Sequence, residues 1–67
     1  MTSKEVGILR LACRQARKAG VFLDFRRFYR QYRMAGDSVE TACWRALYDW
    51  DALDVDEMGR LRIGERT

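Results

Sequence analysis

The sequence contains no histidine and no proline among its 67 residues. Without histidine, a serine or cysteine nucleophile has no imidazole base, and the common triad and dyad chemistries are removed. The two serines, Ser3 and Ser38, fall where helices begin, and capping accounts for both. Cysteine is also scarce: Cys13 and Cys43 lie on apolar helical faces, the usual place of a small buried hydrophobe, not of a disulfide framework. Long apolar runs are missing too. The longest stretch without a charge, Ala19 to Leu23, has five residues, far short of a membrane span or the apolar part of a signal peptide. No proline-rich linker, internal repeat or phosphate-cradling glycine loop interrupts the chain. These absences predict one domain over residues 1–67, without cofactor or metal, with no membrane segment, in a reducing bacterial cytoplasm and without enzymatic activity.

What is present concentrates between Asp24 and Trp50. Phe25, Phe28, Tyr29 and Tyr32 recur at i, i+3, i+4 and i+7, placing four rings on one helical stripe, while Arg26, Arg30 and Arg33 repeat that spacing on another. Gly36 suits the left-handed position that ends such a helix. Asp37, with Glu40 three residues on, has the spacing of a capping box opening the next one. In that next helix Val39, Ala42, Cys43, Ala46, Leu47 and Trp50 form a core stripe, and Trp44 and Tyr48 point to nearly the opposite side. An outward Trp and Tyr together suit an interface, or a surface that the C-terminal segment covers.

Upstream, Thr2 and Glu5 have capping-box spacing, and Leu9, Ala12, Cys13, Ala16 and Ala19 make a small-residue stripe on a helix that Gly20 closes. Val21, Phe22 and Leu23 read as an apolar link beneath the helix junction, with Asp24 as N-cap of the second helix. After Leu53 the apolar residues alternate at Leu53, Val55, Leu61 and Ile63 about Asp56-Glu57-Met58-Gly59, which suggests two short strands. The expected fold is therefore mainly α. It is a small three-helix domain, with helices at about 3–19, 25–35 and 38–50, and a C-terminal extended segment or β-hairpin at 53–63 with a frayed end. Eight aromatic residues supply the packing that a core this small requires.

The net charge of +3 conceals a division. Residues 10–33 hold eight basic side chains against Asp24 alone, whereas residues 37–57 hold seven acidic ones against Arg45 alone. Such a split can steer a partner, bring the basic half of one copy against the acidic half of another, or neutralise itself within the fold. Arginine supplies eleven of the thirteen cations. Guanidinium forks favour shaped recognition of carboxylates, phosphates and rings over a diffuse positive coat.

Two rival chemistries can be weighed by spacing. Asp54, Asp56, Gly59, Leu61 and Glu65 follow the spacing of an EF-hand calcium loop, but Met58 occupies a ligand position and Arg60 and Arg62 place positive charge inside the loop. Residues 25–50 also invite comparison with a DNA-binding helix-turn-helix. Tyr32 stands where that turn wants a small residue and Asp37 where it wants an apolar one, and the would-be recognition helix carries Glu40, Asp49 and Asp51. DNA, if bound, would lie on Arg10, Arg14, Arg17, Arg26, Arg30 and Arg33.

A short helical chain with an FRRFYRQYR helix, a GDSVETA helix start and an acidic end reading DVDEMGRLRI resembles the accessory proteins of temperate phages and prophages. The resemblance implies a protein that binds a host protein, such as a defence or transcription component, and inhibits or redirects it. The target surface would be acidic or one that normally receives nucleic acid. The charge and aromatic pattern of the chain itself, not the resemblance, makes Arg10, Arg14, Arg17, Arg26, Arg30, Arg33, Trp44 and Tyr48 the expected partner-binding residues, with a homodimer as another way to cover the aromatics. A DNA-binding regulator is the alternative.

Overall fold

The computed structural model describes the backbone of residues 1–64 and the side chains of residues 1–59. Four helices follow one another: α1 (Ser3–Lys18), α2 (Phe22–Met34), α3 (Val39–Asp49) and α4 (Val55–Gly64). The mainly helical expectation holds, and among the described residues there is no strand.

α3 is the centre. It packs on both α1 and α2, which touch each other less extensively, while α4 lies against α1. Of its anticipated stripe, Val39, Ala42, Cys43, Ala46 and Leu47 are buried, and Trp50, just past the helix end, is half-buried. α2 contributes Phe25, and α1 contributes Ile8, Ala12 and Ala16; the two alanines allow close approach. Phe28 meets Trp50 edge to face at 5.4 Å, tying the second aromatic edge of α2 to the end of α3.

The first three helices stop by the same device. After α1, the Val21 amide donates to the Ala16 carbonyl and Gly20 to Arg17. After α2, Asp37 donates to Tyr32 and Gly36 to Arg33. After α3, Ala52 donates to Leu47 and Asp51 to Tyr48. Each is a Schellman turn, which requires positive φ at its pivot. Gly20 (φ 76°) and Gly36 (φ 105°) adopt it freely; Asp51 (φ 53°) carries a Cβ there.

Several boundaries differ from the sequence reading. α2 begins at Phe22, not near residue 25, because the reversal at Gly20 leaves Val21 already at the N-cap position. Asp24 is then a first-turn acid and not the cap, and Leu23 projects into solvent. α3 is capped by Ser38, whose hydroxyl accepts from the Thr41 amide at 3.2 Å, because the Schellman turn uses Gly36 and Asp37 before the helix can start. Thr2 and Glu5 form the anticipated capping box, with bonds of 2.9 and 3.1 Å.

The larger correction concerns the C-terminal segment. Instead of an extended segment or hairpin, residues 55–64 form α4. Asp54 caps it, accepting from the Glu57 amide at 3.0 Å, and Met58 is buried in the core. A helix satisfies its own backbone, whereas an isolated hairpin would have to borrow stability from the helices beneath. Gln15, a buried polar residue on α1, fastens this element: its Oε1 accepts from the Asp54 amide at 3.0 Å, and its Nε2 lies 3.4 Å from Glu57 Oε2. Arg14 pairs with the same Glu57. The expected frayed end runs from Gly64 to Thr67; Gly64 is instead the last residue of α4, and residues 65–67 lie outside the described residues.

Candidate functional site

α1 turns a second apolar edge away from α3. Its buried stripe is Ile8, Ala12, Gln15 and Ala16, so Leu9 and Cys13 are rotated to the margin, where they remain half-buried. On α2, Phe22 and Tyr29 occupy the matching margin, with Phe25 beneath them. Between the two margins runs an open groove of about 690 Å³. Leu9, Cys13, Phe22, Phe25 and Tyr29 form its floor, and Arg26, Arg30, Arg33 and Met34 line it from α2. Leu9 and Cys13 also belong to an adjoining depression bounded by Met1, Val6, Arg10 and Arg17, so the surface continues along α1.

The electrostatics of this face are mainly positive, with acids only toward its Arg33 end, where Asp37 lines the groove and Glu5 feels the Arg33 charge. Arg10, Arg26, Arg27 and Arg30 are exposed, and none has an acidic partner among the described residues. Arg33 donates to the carbonyl of Asp37 at 3.0 Å, and Arg17 lies 4.5 Å above the Phe22 ring. Burial raises the pKa of the Tyr29 phenol and the Cys13 thiol above their ordinary values, opposed by the charges of Arg33 and Arg17 respectively. Cys43, beneath the groove in α3, is pushed by burial up to about 12. Both thiols are therefore protonated at neutral pH, and neither is an activated nucleophile.

Arg14, anticipated on the same face, is elsewhere: α1 turns it toward α4, where it pairs with Glu57. Trp44 and Tyr48 also lie apart from the arginine row. They border a shallow depression with Tyr32, Arg45 and Asp49 that shares no residue with the groove. Tyr48 is 75% exposed, but Trp44 is half-buried against the core. Polar groups here are matched internally. Arg45 pairs with Asp37 at 2.7 Å and lies 4.2 Å over the Tyr32 ring, and the Tyr32 hydroxyl donates to Asp49. That hydrogen bond raises the pKa of the Tyr32 phenol, with lesser contributions from burial and the Asp49 charge.

The sequence reading misses the apolar members of the groove. It assigns Leu9 and Cys13 to the core, and Phe22 and Leu23 to a buried link. Leu23 and Met34 are in fact 74% and 80% exposed, and they bracket Arg26, Arg27 and Arg30 on the outer side of α2. The available signal is the width of the α1 stripe: Ile8 with Gln15 and Leu9 with Cys13 cannot all face one neighbouring helix.

Among the described residues, no helix is long and apolar enough to cross a membrane, and no three histidine, cysteine or acidic side chains are grouped to hold a metal. The segment with calcium-loop spacing is helical over residues 55–64, and Glu65 lies outside the described residues. Comparison with protein families, with curated proteins and with solved structures yields no match.

Proposed function

We propose that this chain is a small non-enzymatic binding protein that covers an acidic, partly apolar surface of another protein and so inhibits or redirects it, as phage-type accessory proteins do. The α1–α2 face is the contact surface. One observation carries this reading: Arg26 and Arg30 beside the groove lack acidic partners within the described chain, whereas Arg14 and Arg45 are paired with Glu57 and Asp37. Guanidinium groups held around an apolar floor offer both charge complementarity and area to desolvate. Tyr48 belongs to a separate surface, where it is available as a secondary contact.

A DNA-binding regulator is the second reading, since the same arginines fit phosphates. It would have to use α1 and α2, because Arg45 on the outward side of α3 is already engaged by Asp37. Affinity capture from a bacterial lysate, with and without nuclease, separates the two. The proposed function requires a discrete protein that survives nuclease and is lost with the Arg26→Glu, Arg30→Glu double variant. Retention of nuclease-sensitive material alone would favour the regulator reading instead.

A further inference from the structure

Resting on that reading of the α1–α2 face, we propose that the groove seats an acidic amphipathic helix of the partner protein. The apolar stripe of that helix lies on Leu9, Cys13 and Tyr29, and a row of its carboxylates runs along Arg26, Arg30 and Arg33.

The shape is that of a bundle with one position open. α3 fills one side of the α1–α2 pair, and the half-buried edges of those helices converge on the other side to form the groove. A further helix packed there at the usual interaxial distance of about 8–10 Å would complete a four-helix arrangement.

Backbone chemistry selects a helix over an extended segment. The described residues contain no strand and hence no sheet edge to pair with an incoming chain. An extended peptide on this apolar floor would leave amides and carbonyls desolvated without partners, whereas a helix brings its own hydrogen bonds with it.

The charge row specifies the rest. Arg26, Arg30 and Arg33 follow i, i+4, i+7 spacing and span about 10 Å of helix axis at the usual rise. Glutamates or aspartates at the same spacing, beside an apolar stripe at i, i+3, i+4 and i+7, would meet them in register. Nucleic acid would satisfy the arginines but has no use for the apolar floor, or for Leu23 and Met34 exposed beyond the rim. A second copy lacks the required helix among its described residues. The apolar stripe of α3 is consumed in its own core, and Glu57 at the start of α4 is bound to Arg14.

The test uses fluorescence anisotropy with a labelled synthetic peptide of about fourteen residues, enough for four helical turns. It carries leucines on the stripe and glutamates at the row positions. The controls are the same peptide with two central prolines, the peptide with lysine in place of glutamate, a short DNA duplex and anionic vesicles. The proposal expects saturable binding of the acidic helix alone, weakened about tenfold or more by Arg30→Glu. A peptide with arginine opposite the carboxylate that this substitution introduces should recover part of that loss. Circular dichroism checks that the Arg30→Glu protein stays helical. Equal binding of the proline-interrupted peptide would overturn the helical occupant. Absence of peptide binding, with a nuclease-resistant protein still captured in an Arg30-dependent way, would overturn this inference and leave the proposed function standing. Binding of DNA or vesicles instead of peptide would overturn both.

Discussion

The two lateral faces of α2 carry the same kinds of residue and use them in opposite ways. On the side toward α3, Tyr32, Arg45, Asp37 and Asp49 satisfy one another, and cation, ring and carboxylates form a closed set. On the side toward α1, Arg26 and Arg30 stand beside Tyr29 and Phe22 with no ion-pair partner among the described residues, and Asp37, which reaches the end of this groove, is bound to Arg45. Arginines next to tyrosines therefore do not by themselves mark a binding surface. What separates the faces is whether the local charge is already balanced, and that depends on where Asp37, in the turn before α3, and Asp49, at the end of α3, are placed.

The largest test of this comparison removes the support beneath the groove. Phe25 is fully buried, lines the groove floor and stacks on Tyr29 at 6.0 Å. Phe25→Ala should lower stability by about 3–5 kcal/mol in denaturant unfolding, and at temperatures where the variant stays folded it should weaken partner binding. Unchanged stability would mean that the groove is not built on the core. A smaller effect is expected from two arginine truncations compared side by side. Arg45→Ala loses an exposed ion pair and a ring contact and should cost up to about 1 kcal/mol. Arg30→Ala should change stability by less than about 0.5 kcal/mol while reducing partner capture. If the two behave alike in both assays, the distinction between a closed face and an open one fails. The smallest effect is a gain. Asp51→Gly relieves the left-handed strain at the end of α3 and should raise stability by about 0.5–1 kcal/mol, read as a higher urea midpoint.

Alkali acts on both regions, since Tyr29 and Cys13 beside the groove also have raised values. Cys43 and Tyr32 both have folded-state pKa values above their ordinary ones. The unfolded chain therefore loses these protons first, and the stability they contribute is complete below the ordinary values and declines as pH rises through the folded ones. For Cys43 that window runs from about 9 to about 12. A thermal scan series across it should show a falling midpoint, and Tyr32→Phe should remove only the Tyr32 share of the decline, leaving those of Cys43 and Tyr29.

Much of the scaffold is legible because it follows periodicity. The stripe from Val39 to Leu47, the capping box at Thr2 and Glu5, and the helix-ending roles of Gly20 and Gly36 are local features, and local rules find them. α4 escapes those rules because its apolar residues are few and its first turn is acidic, so Leu53 and Val55 suggest alternation. The Asp54-to-Glu57 spacing holds the helical signal, since Asp54 caps the Glu57 amide. The arginine row is legible as a row. Its separation from Arg14, Trp44 and Tyr48 is not, because that depends on how α1 rolls about its own axis against α3, a choice set by tertiary packing around Gln15 and Ile8.

The attachment of α4 through Gln15 has a kinetic consequence. Among the described residues α4 packs on α1 alone of the other helices, and its anchors are Met58, the Gln15 amide and the Arg14–Glu57 pair. Its opening withdraws Met58 from the core but leaves the contacts among α1, α2 and α3, and in hydrogen exchange its amides should form a less protected cooperative block than those of α3. During such an opening the Gln15 side chain regains water. On that expectation the buried glutamine is a latch, and its replacement by an apolar side chain should lower protection in α4 more than in α3.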